Sequence, residues 1–248
     1  MKQVVIIILA ARMTSKRLPG KTLKKLHGKP MLEHIVDFLK FCKNTDKIIV
    51  ATSNEKEDDR IEELCKNMQC ICFRGSKNDV LERYYECAKK YKANFIVRLT
   101  ADNPLVDPSL VDSGIEMCIK NNFDYVTNMI HHTFPMGAYP IEIMTMKLLE
   151  ENHLFQKDQL TREHVTYQIR KNYKKYKIGE VFAPERLQRE QWRLTVDYIE
   201  DFQLIEKIFS KLYKTGQYIK YEEVVDFLAK NHELLKINAK YLPNRYLY

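Results

Sequence analysis

The chain has 248 residues, 45% of them hydrophobic and 30% charged, a globular composition rather than a disordered or fibrous one. Seven glycines and eight prolines leave no stretch that reads as a flexible linker, and the length suits one large α/β domain. The formal charge is +8, but the lysines are spread along the chain and interleaved with acids. That argues against a polynucleotide-binding stripe while allowing a locally basic site for a phosphorylated small ligand.

Six cysteines, at 42, 65, 70, 72, 87 and 118, form no C-x-x-C pair, and no two histidines stand at zinc-ligand spacing. Free thiols in a reducing cytosol fit better than a disulfide framework. The apolar run Val4 to Ala11 is short, runs into Arg12 and lacks a small-residue cleavage site, so it reads as a buried first strand rather than a signal-peptide core. No other segment is long enough to span a bilayer. A soluble, cytoplasmic protein is expected.

In chain order, the continuous β-branched run Val4–Leu9 predicts a strand buried on both faces. Met31–Cys42 has helical spacing, Lys47–Thr52 contains the next strand at Ile48–Ala51, Asp58–Met68 reads as an amphipathic helix and Cys70–Phe73 as a short strand. Asp79–Tyr91 is again helical and Asn94–Leu99 is a fourth strand. This alternation indicates βαβ units and a mainly parallel sheet flanked by helices. Pro108–Asn121 predicts a helix capped by Asp107, and Asp124–Asn128 a strand. Beyond an aperiodic stretch from Ile130 to Pro140, Ile141–Thr145 reads as a strand, Lys147–Asn152 and Thr161–Asn172 as helices and Arg193–Val196 as the last core strand. Glu200–Leu212 and Tyr221–Asn231 are closing amphipathic helices. A single domain over 1–248 is expected, with 128–165 covering the site or forming an interface.

Directly after the first strand comes Ala10-Ala11-Arg12-Met13-Thr14-Ser15-Lys16-Arg17-Leu18-Pro19-Gly20-Lys21, where four cations and two hydroxyl residues crowd the carboxyl end of a strand. In an open α/β sheet ligands bind at that end. Arg12, Arg17 and Lys21 offer donors to phosphate oxygens, and backbone N–H groups can add more. A solvated basic turn is the plain alternative. Neither a Walker A nor a G-x-G-x-x-G pattern is present, which disfavours nicotinamide or ordinary ATPase chemistry.

Asp102 follows the fourth strand and Asp197 ends the segment Arg193–Val196. Two carboxylates at strand ends, with room for water and phosphate oxygens, suit Mg²⁺; the plain alternative is a cap or a strand end, the reading given to Asp107, Asp112 and Asp201. Arg74-Gly75-Ser76 reads either as a loop that a planar base can approach or as a helix-start turn capped by Asp79. His131 and His132, being adjacent, would point to opposite faces of a strand. His164 is either an acceptor contact or base, or an ordinary helix-face histidine.

The run "AARMTSKRLPGK" with "GKPMLEHIV" resembles the opening of the SpsF-type spore-coat polysaccharide cytidylyltransferases, relatives of the synthetases that make CMP-activated keto-sugar acids. "FRGSKNDVLERYYECAKKY", "VRLTADNPLVDPSLVD", "REHVTYQI" and "WRLTVDYIEDFQLI" follow in the family's order, so the resemblance covers nearly the whole chain. It implies a Rossmann-like nucleotide-diphospho-sugar transferase fold, CTP and a small-molecule acceptor as partners, Mg²⁺ on Asp102 and Asp197, and a homodimer. It implies further that Arg12, Arg17 and Lys21 hold the triphosphate, that Arg12, Lys21 and Asp102 are catalytic, and that Arg74, Gly75 and Ser76 meet the base. Leu9, Ala10, Ala11, Ser15, Thr100 and Ala101 complete the expected nucleotide site, with Glu142 and His164 at the acceptor.

Three departures stand out. Gly137-Ala138-Tyr139 replaces Gly-Leu-Asp before Glu142, Asp197-Tyr198-Ile199 replaces Asp-Thr-Pro, and Tyr167 replaces a proline. They leave the acceptor open. The competing readings are a glycosyltransferase using a nucleotide-sugar donor, and a binding module on an inactive nucleotide fold.

Overall fold

The β-branched run near the N-terminus becomes the middle of the sheet in the computed structural model, which describes residues 2–242. Strand β1 (Val5–Ala10) alternates its burial: Val5, Ile7 and Leu9 enter one core cluster, Ile6 and Ile8 the other. A strand with both faces covered needs such an unbroken apolar run, each fully buried side chain being worth about 1.5–3 kcal/mol.

After β1 comes the basic loop, then a small hairpin of β2 (Lys25–Leu26) and β3 (Lys29–Pro30). His27 and Gly28 turn it, both at positive φ, as a tight two-residue hairpin requires. Helix α1 (Met31–Leu39) leads to β4 (Lys47–Ser53), α2 (Asp59–Asn67) to β5 (Ile71–Gly75), and α3 (Val80–Lys90) to β6 (Phe95–Thr100). Helix α4 (Pro108–Lys120) opens on the Asp107 cap, and β7 (Tyr125–Thr127), β8 (Glu142–Thr145) and α5 (Met146–Phe155) follow. The chain continues with α6 (Gln159–His164), α7 (Tyr167–Lys171), β9 (Ile178–Glu180), α8 (Ile199–Leu212) and α9 (Tyr221–Lys230).

The seven-stranded sheet has the order β5-β4-β1-β6-β8-β7-β9. It is parallel from β5 to β6 and between β7 and β9, while β8 runs antiparallel to both its neighbours. Helices α1, α4, α8 and α9 cover one face, and α3 and α5 the other. The chain winds outward from β1 through β4 to β5, then returns to place β6 on the other side of β1. The crevice at the carboxyl ends of β1 and β6 is therefore the topological switch point, where open α/β sheets bind ligands. Among the described residues no helix is long and apolar enough to cross a membrane.

Two expected elements differ. The helix expected over Thr161–Asn172 is broken between α6 and α7 at Val165, which has φ 46° and is fully buried against α3 and α5. Tertiary burial of Val165 and a hydrogen bond from Thr166 Oγ1 to Glu142 (2.6 Å) override local helix propensity. Arg193–Val196 is not a sheet strand. It lies extended against the loop at 134–138, with one bridge between Met136 and Arg193, and Val196 N–H bonds the Asp102 carbonyl at 2.8 Å. Strand β9, three residues in a lysine-rich stretch, was not legible as a strand.

Candidate active site

The basic loop is tied down at its base. Ala11 N–H bonds the Ala51 carbonyl (3.1 Å) and Ala101 N–H bonds the Ala10 carbonyl (2.9 Å), so both strand ends are locked side by side. Leu9 is wholly buried in the core. Of the residues expected to line the nucleotide, Ala11 and Ala101 thus have their N–H groups already used within the protein.

The loop's anchor is Asp58, just before α2. Its carboxylate accepts Met13 N–H at 2.7 Å and Ser53 N–H at 3.1 Å, and also bonds the Ser53 hydroxyl. Burial would raise its pKa, but these donors hold it below the usual carboxylate value. Sequence reading saw Asp58 only as a helix start, because its partners lie in the loops after β1 and β4. Ser15 Oγ accepts Leu18 N–H (3.4 Å), and Ser15 and Gly20 N–H groups turn back to the Met13 carbonyl. The N–H groups of Arg12, Thr14, Lys16 and Arg17 have no protein acceptor among the described residues. Such a row of free amides beside an arginine-rich loop is a nest for phosphate oxygens.

At the loop's end Lys21 is buried, and its Nζ donates to Asp197 Oδ1 at 3.0 Å, Asp102 Oδ2 at 3.2 Å and the Val196 carbonyl at 2.7 Å. Arg17 pairs with the same Asp197 oxygen at 2.7 Å, and Arg193 reaches the other at 3.1 Å. Arg193 is itself gripped by the buried Asp201 at 2.8 and 3.0 Å. Burial works to raise the Asp197 pKa, but Lys21 and Arg17 outweigh it and keep the carboxylate ionised. Thr100 Oγ1 donates to Asp102 Oδ1 at 2.6 Å and accepts from Asn103, so Thr100 orients Asp102.

Arg17, Lys21, Asp102 and Asp197 thus meet at one point, with Thr100 holding Asp102, although Asp197 comes from an extended segment rather than a strand end. The donor set suits a hard divalent ion. Two carboxylates face a common position where an ammonium, itself a cation, now stands, and Mg²⁺ uses few protein ligands, completing its shell with water and phosphate oxygens. Among the described residues there is no third carboxylate, cysteine or histidine to build an all-protein cage.

The expected base loop makes contacts of its own. Arg74 is turned onto the start of α2: its guanidinium pairs with Asp59 (2.5 Å) and Glu62 (2.9 Å) and donates to the Ser53 and Glu55 carbonyls. Four of its five N–H donors are committed there, which leaves one hydrogen on Nη2. Ser76 Oγ accepts Asp79 N–H at 3.1 Å, and Asp79 caps α3 through Glu82 N–H at 2.8 Å. Gly75 lets Arg83 pack closely, since Arg83 Cγ would lie 3.0 Å from a Cβ placed there.

Glu142, expected at the acceptor, lies below the surface. It is fully buried, and its carboxylate is surrounded by Arg98, Tyr125, Thr166 (2.6 Å) and Arg170 (3.5 Å). It can reach an acceptor only by fixing Arg98 and Arg170, which share its single charge. Burial would raise the Glu142 pKa, but the two arginines and two hydroxyls hold it down. His164, exposed at the end of α6, has its pKa lowered by partial burial and by Arg98, Arg170 and Arg12, against the opposing pull of Glu163. Arg98 and Arg170 were missed because a strand arginine and a helix arginine carry no local signal of convergence. Tyr198, one of the departures, stacks on Tyr241 at 3.7 Å and lies under Arg17, so it borders the Asp197 cluster rather than Glu142.

A mostly parallel sheet with a basic loop and paired aspartates at its switch point fits a nucleotidyltransferase of the Rossmann-like class. The comparisons make this specific: the cytidylyltransferase family matches residues 6–239, and the chain belongs to that family. It is 40% identical to an uncharacterized protein of Methanocaldococcus jannaschii over 98% of this chain and 97% of that one. It is 33% identical to the spore coat polysaccharide biosynthesis protein SpsF of Bacillus subtilis, over 84% of this chain and 87% of the relative. The structure of a cytidylyltransferase from Leptospira borgpetersenii superposes with a TM-score of 0.89 at 31% identity, covering all of both chains.

Proposed function

We propose that this cytidylyltransferase moves CMP from CTP to an anionic sugar acceptor in the cytoplasm, releasing pyrophosphate, for surface-glycan synthesis. The observation that carries the reading is the cluster of Lys21, Arg17, Asp102 and Asp197 at the β1/β6 switch point, beside the free amides of the basic loop. Those amides with Arg12 and Arg17 would hold the triphosphate, and Lys21 would neutralise charge that develops on it. Asp102 and Asp197 would hold Mg²⁺, which supplies Lewis-acid neutralisation of the phosphate oxygens. The acceptor oxygen bonds to the α-phosphorus in line as the bond to the bridging oxygen of pyrophosphate breaks.

Arg98 and Arg170 support an anionic acceptor. Two guanidinium groups share one carboxylate, and both side chains are partly exposed beside His164. A carboxylate or phosphate on the acceptor supplies the missing charge. His164, with its lowered pKa, is neutral at pH 7 and can accept a proton if the attacking group is a hydroxyl. The resemblance to sugar-acid synthetases supports a homodimer as well, and Leu154, Phe155 and Leu160 expose apolar surface in the expected segment.

The test is pyrophosphate release from each of the four triphosphates with Mg²⁺ and a panel of sugar acids and sugar phosphates. Release with CTP is expected, falling at least about 100-fold in Asp102→Asn. No pyrophosphate from any triphosphate with any acceptor sinks the reading, and nucleoside diphosphate released from a nucleotide sugar favours the glycosyltransferase alternative.

A further inference from the structure

Arg83, on the first turn of α3, is 4% exposed, and its Nη1 donates to the Ser76 carbonyl at 2.7 Å. Its Nε is buried and has no hydrogen-bond partner, and the guanidinium forms no ion pair among the described residues. The other buried arginine, Arg193, has Asp197 and Asp201, and the partly exposed Arg98 has Glu142. Burial holds the Arg83 pKa below its ordinary value, with Tyr84, Asp58 and Asp79 pulling the other way and Arg12 adding to the fall. An uncompensated buried charge is costly, and a fold that keeps one needs a reason for it.

The location supplies that reason. The stem of Arg83 packs under Gly75, at the carboxyl end of β5, and Asp58, Asp79 and Arg12 are its charged neighbours. It therefore lies under the basic loop on the β4/β5 side, while the Asp102–Asp197 pair lies on the β6 side. A nucleotide whose phosphates occupied the free amides among residues 12–17, and whose reacting phosphate faced Asp102, would extend its nucleoside toward Arg83. With Nη1 taken by Ser76, the remaining edge of the guanidinium, Nε with Nη2, offers two parallel donors.

We propose that Arg83 is the residue that selects the nucleobase, its free edge donating to the adjacent O2 and N3 acceptors of cytosine. Uracil presents O2 beside an N3–H donor, which would face a second donor. Adenine's Watson–Crick edge likewise pairs an acceptor with a donor. Guanine alone among the other bases has adjacent acceptors, O6 and N7, and needs room for a purine. This inference rests on the cytidylyltransferase reading and adds the residue that enforces it, in place of Arg74.

The experiment compares CTP, UTP and GTP, each with Mg²⁺, by thermal shift and by pyrophosphate release, in wild type, Arg83→Gln and Arg83→Lys. A glutamine amide pairs one donor with one acceptor and so matches uracil's O2 and N3–H. Arg83→Gln should lower the CTP-to-UTP preference at least about tenfold, mainly through the nucleotide KM. Arg83→Lys keeps the charge and the reach to Ser76 but loses the parallel edge. It should also lose preference, which covers the case in which the glutamine variant fails to fold. A folded variant that weakens CTP and UTP equally, or leaves their ratio unchanged, assigns Arg83 to loop packing and overturns the proposal. A wild type that binds CTP and UTP alike does the same. Wild type stabilised by no triphosphate would instead remove the cytidylyltransferase reading itself.

Discussion

At the residue scale the site is a problem of charge placement. Asp102 and Asp197 repel each other, and Lys21 Nζ between them offsets that repulsion while partly occupying the position a divalent ion would take. Removing the ammonium should therefore destabilise the free protein and sharpen its response to metal. Asp197 keeps Arg17 and Arg193 and Asp102 is partly exposed, so Lys21→Met should cost about 1–3 kcal/mol, below the range for a fully orphaned buried charge. Mg²⁺ alone should raise the Tm of Lys21→Met more than that of wild type, because ligand binding to the native state adds stability by mass action. Equal shifts in a scanning-calorimetry titration would mean that lysine and metal do not share the position. Asp58 belongs to the same scale: one buried carboxylate, remote in sequence from the loop, holds Met13 in place.

At the element scale the loop of residues 134–138 and the extended segment Arg193–Val196 lock together to present Asp197. Gly137 has φ 71°, and a Cβ there would sit 2.3 Å from Thr195 Cβ. Gly137→Ala combines a disfavoured backbone with a backbone-adjacent clash, and should cost about 2–4 kcal/mol. The check is the urea midpoint at unchanged m; a midpoint within error of wild type would mean the two segments are not locked. The same pairing explains why Arg193–Val196 read as a strand. Its alternation and β-branched residues are real, but its partner is a loop rather than the sheet. Conversely, Val165 interrupts a sequence with good helical spacing because its side chain is drawn into the core under α5.

At the scale of the whole molecule, acid stability follows from buried carboxylates. Asp58, Glu142 and Asp197 all have folded pKa values below their unfolded ones. In acid the unfolded chain then binds more protons than the native one, so stability rises with pH across this window. The contribution is complete above the unfolded values of about 4–4.5 and is lost as pH falls through the lower folded values. Unfolding free energy from urea titrations should be flat with respect to these groups between about pH 6 and 7 and fall steeply below about pH 4.5. A flat profile down to pH 3 would mean that the folded and unfolded pKa values of these carboxylates do not differ.

Much of the arrangement was legible in the sequence. The buried run before Arg12, the strand–helix alternation through β6, the loop of cations and the two aspartates all depend on local pattern: apolar period, chain position and residue type. What only the tertiary structure decided is which groups are free to act. Arg74 and Glu142 carry suitable chemistry, but most of Arg74's donors and both Glu142 oxygens are engaged by groups from other elements, among them Asp59, Glu62, Arg98 and Arg170. Arg83 sits in an ordinary amphipathic helix, yet it alone among the buried arginines described is left without a counter-charge. Pattern depends on a residue's neighbours along the chain, whereas electrostatic freedom depends on its neighbours in space, and at the β1/β6 crevice those come from segments more than eighty residues apart.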